Sequence, residues 1–172
     1  MKNVTSYALA SLFIILLASG CKKDNTTGPA AGDTGTPGTA SFTLNGAGFS
    51  NLTVNLTNAM GGFSAADNMS AIVATNMAAS DTTMLQIAFP GSTTGTFPFT
   101  DSTGVVISRQ VSGTTRGFAN YVGGGQIVVT SFGAVATGSI VGTFSGKLYE
   151  VTQSGLDSVT VSNGKFNAVR VQ

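Results

Sequence analysis

The chain has no histidine and no tryptophan, a single cysteine, and charged side chains at only 9% of its 172 positions. Each scarcity removes a class of chemistry. Without histidine there is no Ser-His-Asp or Cys-His nucleophilic relay and no His-based zinc site. One cysteine, Cys21, forms no internal disulfide. With tryptophan missing, Tyr7, Tyr121 and Tyr149 are the only amphipathic aromatics, so ring faces suited to stacking on sugars are few. From residue 41 onward, five acids (Asp67, Asp81, Asp101, Glu150, Asp157) balance five bases (Arg109, Arg116, Lys147, Lys165, Arg170). That even count gives none of the clustered positive charge that nucleic acid requires, so no nucleic-acid partner is expected. Long apolar runs are also lacking: residues 8–18 form the longest, well short of the roughly 20 residues that cross a bilayer as a helix.

What is present begins with that run. It follows Lys2 and holds Leu9, Leu12, Phe13, Ile14, Ile15, Leu16 and Leu17, the pattern of a signal-peptide core. Leu17-Ala18-Ser19-Gly20-Cys21 then places small residues before the cysteine and resembles a lipobox, with Ala18 where leucine is commoner. The resemblance implies diacylglyceryl transfer to the Cys21 sulfur, cleavage between Gly20 and Cys21, and acylation of the new amino group with a palmitate-type chain. At about 0.8 kcal/mol per buried methylene, several chains on one cysteine hold a protein on a membrane almost permanently. Residues 22–40 carry glycine, proline, threonine and alanine with no large apolar side chain, and such a segment fills no core. The expected layout is a signal peptide over 1–20, a lipidated cysteine and flexible linker over 21–40, and a folded domain over 41–172. Lys22-Lys23-Asp24 resembles the start of many lipoproteins of the Bacteroidetes group. The location implied is the cell envelope, lipid-anchored at the outer membrane, on its periplasmic or its surface face.

Within the domain, apolar residues recur with a period of two. Residues 51–57 put Leu52, Val54 and Leu56 on one face and polar residues on the other, a half-buried strand. Residues 139–151 repeat this with Ile140, Phe144 and Leu148 inward beside Gly142 and Gly146, and Thr143, Ser145 and Lys147 outward. Further strands are expected at 41–44, 69–75, 84–89, 96–100, 105–111, 117–122, 126–132, 159–161 and 166–171. Turns are expected at Asn45-Gly46, Gly61-Gly62, Gly91-Ser92, Ser112-Gly113, residues 123–125 and Asn163-Gly164. About ten short strands with frequent turns predict an all-β, antiparallel β-sandwich, with a small β-barrel as the alternative.

Residues 138–149 and 159–167, with Phe42-Thr43-Leu44-Asn45-Gly46, resemble a family of lipoprotein domains of unknown function from Bacteroidetes-type bacteria. The resemblance implies an all-β envelope domain and assigns no activity.

No catalytic residue, cofactor or metal site is expected. The acids sit beside turn residues and read as solvated loop carboxylates. Loop oxygens at Asp67-Asn68, Asp81 and Asp101-Ser102 suit calcium in hardness, but no D-x-D-x-D-G loop gathers them. Ser162-Asn163-Gly164-Lys165 fits S-x-x-K, yet that motif needs a helix start, and these residues read as a turn or bulge between strands. Asp81-Thr82-Thr83, Asp101-Ser102-Thr103 and Asp157-Ser158-Val159 resemble the O-glycosylation acceptor of Bacteroidetes-type periplasmic proteins, which makes Thr82, Ser102 and Ser158 candidate acceptors. Asp followed by Ser or Thr is equally ordinary turn chemistry. Two readings of function follow: a structural or interaction module whose partners are the membrane, through acylated Cys21, and an envelope protein; or a glycan- or nutrient-binding domain using Tyr121 and Tyr149.

Overall fold

The computed structural model describes residues 35–172 other than 79, 80, 112, 153 and 154. Gly20 and Cys21, the expected cleavage and lipidation residues, lie outside the described residues, as does the side chain of Tyr121. Nine strands follow in order: β1 (Thr39–Gly46), β2 (Phe49–Ser64), β3 (Met69–Ala78), β4 (Asp81–Pro90), β5 (Gly95–Pro98), β6 (Gly104–Val111), β7 (Thr114–Phe132), β8 (Ser139–Thr152) and β9 (Gly155–Arg170). No helix occurs among the described residues. β1 begins at Thr39, so Thr39 and Ala40, linker-like in composition, already pair with Asn167 and Phe166 of β9.

The strands close into an antiparallel barrel, which corrects the expected sandwich and agrees with its alternative. Apart from β5, neighbours in the chain are neighbours in the sheet, β9 returns to β1, and β8 pairs with β7 as well as with β9, so the sheet meets itself. β5 stands outside the eight-stranded ring count: it pairs with residues 126–129 of β7, in line with β6, which pairs with residues 114–119. β5 and β6 thus act as one interrupted strand. At the far end of the short β1, β2 and β9 pair directly and in parallel, Met60 with Val169.

Long, bent strands explain why a ring forms. The glycines at 123–125 and the pair Asn163-Gly164, expected as turns, lie inside continuous strands of 19 and 16 residues. The β7–β8 register jumps from Asn120↔Leu148 to Gly125↔Gly146, and β9 carries an extra residue at Asn163 seen by both of its neighbours. Asn51, Asn58 and Asn163 all have positive φ (47°, 55° and 53°), and each falls where the register shifts. Asparagine tolerates the left-handed region better than other side-chain-bearing residues, and a bulge bends its strand and raises the local twist. Gly61-Gly62, also expected as a turn, lies within β2. The first hairpin turns at Ala47 and Gly48 rather than at Asn45-Gly46: Gly46 pairs with Phe49, and both intervening residues have positive φ, 51° and 84°.

The interior is solid. Phe42, Phe89, Phe118, Phe144 and Phe166 are each at most 2% exposed and interleave with Leu44, Leu56, Ile72, Leu85, Ile107 and Ile127. Full burial of each phenylalanine contributes about 2 to 3 kcal/mol. An eight-stranded barrel is just wide enough for side chains to fill. Phe99 packs where Gly125 faces Gly146, and a methyl group on either glycine would come within 2.2 or 2.5 Å of its ring.

The two ends differ in what they carry. The hairpins β1–β2, β3–β4, β6–β7 and β8–β9 all turn at one end. The first and last described residues lie at the other. There Gly38 N–H donates to Asn167 O (2.7 Å), Asn167 Nδ2 donates to Gly35 O (2.8 Å), and Val171 N–H donates to Gly61 O (2.9 Å).

Candidate functional site: a charged mouth at the hairpin end

Period two places more than the core. On β4, Thr83, Leu85, Ile87 and Phe89 are buried and face the interior, so Asp81 continues that face at the hairpin end. By the same count Arg109 follows Ile107 on β6, Arg116 precedes Phe118 on β7, Glu150 follows Leu148 on β8, and Asp157 precedes Val159 on β9. Half of the domain's ten charged residues therefore meet at one mouth of the barrel.

They are ordered by pairing. Arg109 makes a forked contact with Asp81, Nη2 to Oδ2 at 2.6 Å and Nε to Oδ1 at 3.1 Å, and the buried Thr83 hydroxyl donates to Asp81 Oδ1 at 3.2 Å. The Arg109 guanidinium beside Asp81 holds its carboxyl below the usual carboxylate range. Arg116 donates from Nε and Nη2 to Glu150 Oε2 (2.9 and 2.5 Å), from Nη1 to the Ala47 carbonyl (2.6 Å), and from Nη2 to Asp157 Oδ2 at a longer 3.4 Å. Hydrogen bonding to Glu150 pushes the Arg116 guanidinium up from its ordinary value, against the opposing effect of burial. Because Ala47 sits in the left-handed region, a conformation that costs a side-chain-bearing residue about 1 kcal/mol or more, the Arg116 bond to its carbonyl fixes a strained turn over the mouth.

Phe49 forms the apolar centre. Its ring lies edge-on to Phe118 at 5.9 Å between centroids, and the guanidinium carbons of Arg109 and Arg116 stand 5.6 and 5.4 Å from its own centroid. Between these side chains lies an open cleft of about 400 Å³, lined by Gly48, Phe49, Ser50, Leu52, Thr114 and the two arginines.

The mouth corrects the reading of the acids. Asp81, Glu150 and Asp157 are ion-paired groups of the barrel face, with Glu150 only 13% exposed. Asp67 and Asp101 alone lie in turns, Asp67 accepting from Ser64 Oγ at 2.8 Å. Among the described residues no three His, Cys, Asp or Glu side chains are grouped to hold a metal ion. Ser162 and Lys165 lie on β9 around the Asn163 bulge, with no helix. Of the candidate acceptors, Thr82 is half-buried in mid-sheet between Met77 and Gln110, Ser158 is half-buried opposite Tyr149, and Ser102 is exposed in the loop before β6. Tyr149 is half-buried on the outer face, with the Lys147 ammonium 5.3 Å from its ring centroid. None of these residues lines the mouth. The signal that finds it was in the alternation itself, extended two residues past the last apolar position of each strand.

Comparison with known proteins returns no matching family model, no matching curated protein and no matching solved structure.

Proposed function

We propose that this chain is a lipid-anchored envelope protein, held at the outer membrane through acylated Cys21, whose barrel is a non-catalytic structural or interaction module. The observation that supports the second half is the filled interior: among the described residues, Phe42, Phe89, Phe118, Phe144 and Phe166 pack the inside of the barrel, which leaves contacts to the ends and the outer wall. The first half rests on the leader and on the resemblance of the domain to envelope lipoprotein families of the Bacteroidetes type. The entry of the chain at Gly35–Gly38, bonded to Asn167 and Ala59 at the terminal end, is compatible with a tether that leaves the hairpin end free.

Expression of the full chain in a Gram-negative host, with membrane fractionation and intact-mass measurement, tests the anchor. The wild type is expected in the membrane fraction with an acylated amino-terminal cysteine, and Cys21→Ala is expected unlipidated. A Cys21→Ala protein still processed and membrane-bound would overturn the reading.

A further inference from the structure

We infer that the hairpin mouth is a binding site for a small monocarboxylate carrying an apolar or planar body, its carboxylate on the arginines and its body on Phe49 and Leu52. This goes beyond the module proposed above and does not depend on how the chain is anchored.

The first argument is what the cleft presents. Its lining includes Arg109 and Arg116, while Asp81, Glu150 and Asp157 are not among the lining residues. An entering molecule meets Arg109, whose Nη1 takes no part in the contact with Asp81, and Arg116, whose longest bond is the one to Asp157, with the Phe49 ring centroid 5.6 and 5.4 Å from their guanidinium carbons. Guanidinium groups match carboxylates in shape and pair with them through forked bonds. A cleft near 400 Å³ lies toward the small end of ligand sites, which usually combine apolar walls with a few placed polar groups.

The second argument is charge. Three carboxylates and two guanidiniums sum to −1, so the cluster opposes an added anion until one of its own acids gives way, and it opposes a doubly charged one such as phosphate more strongly than a monoanion. The three pairs are also unequal. Asp157 meets Arg116 at 3.4 Å, is 48% exposed, and shares Nη2 with Glu150, which holds it at 2.5 Å. Asp157 is the partner that an incoming carboxylate displaces most readily, since an exposed, long pair contributes little. It acts as a built-in competitor for the site.

The prediction that separates this from a merely structural ion-pair cluster is a gain of affinity on losing a charge. Full chain in detergent would be titrated with phenylacetate, with phenylacetamide as the uncharged analogue, and with inorganic phosphate, followed by calorimetry and by the ring resonances of Phe49. Phenylacetate is expected to saturate the site while the amide and phosphate do not. Asp157→Asn is expected to tighten phenylacetate by roughly 5-fold, and Phe49→Leu to weaken it by roughly 10-fold, the tenfold step being one good apolar contact. Asp157 lies at the rim, so its variant keeps the core intact. Equal binding of the amide, phosphate binding as tightly as phenylacetate, no saturation by any probe, or a weaker or unchanged affinity in Asp157→Asn would each overturn the proposal.

Discussion

The two ends of the barrel are closed by different means. At the terminal end, aromatic rings and main-chain bonds finish the core: Phe89 meets Phe97 at 5.1 Å and Phe132 at 6.4 Å, Arg170 lies 4.7 Å from the Phe132 centroid while donating to Gly133 O, and the last residues bond back to β2. At the hairpin end, paired charges do the same work around a single ring, Phe49. Apolar closure gains from every square ångström removed from water. Ionic closure gains little net energy, but it leaves polar groups facing outward and able to exchange partners. One end is thus closed by packing and main-chain bonds, the other by ion pairs around an aromatic ring.

Substitutions at each end sharpen the contrast. The largest effect is expected at the terminal end, where Phe89→Ala opens a cavity under Phe97 and Phe132 and lowers stability by about 3 to 5 kcal/mol in urea denaturation. At the hairpin end, Arg116→Ala strands Glu150 and the Ala47 carbonyl, and the same measurement is expected to show a loss of about 2 kcal/mol. A larger loss for Arg116→Ala than for Phe89→Ala would break the comparison. The smallest effect concerns acid. The folded Asp81 carboxyl titrates below its unfolded value of 3.8, so below that pH the unfolded chain takes up the proton first. The stabilisation is present above 3.8 and is lost as pH falls through the lower folded value. Asp81→Asn is therefore expected to be less stable than wild type at neutral pH, with the difference shrinking in acid. A constant difference across that range would show that the ion pair contributes nothing.

Much of the wall was legible in the sequence. Leu52, Val54 and Leu56, and Ile140, Phe144 and Leu148, face inward as their alternation requires, with residues 51, 53, 55 and 57 exposed. What was not legible is whether a glycine or asparagine ends a strand or bends it. Asn163-Gly164 and the glycines at 123–125 satisfy a hairpin and a bulge equally well, and only the partners across the sheet distinguish them. Cutting β7 and β9 at those points yields about ten short strands and hence a sandwich, whereas leaving them whole gives strands long enough to curve into a ring. The mouth was hidden for a related reason. Asp81 and Asp157 each precede Thr or Ser and so look like loop residues, while their inward direction follows only from the uninterrupted count along β4 and β9.

Ring closure also bears on crowding. A sheet with open flanks offers unpaired main-chain groups to its neighbours, and proteins packed at high density on one surface risk zipping together along them. Here β8, last in the linear strand order, is paired on both sides, and the short flank at β5 carries Pro98, which has no N–H to donate. Among the described residues the barrel thus leaves little main-chain edge along which a second copy could add.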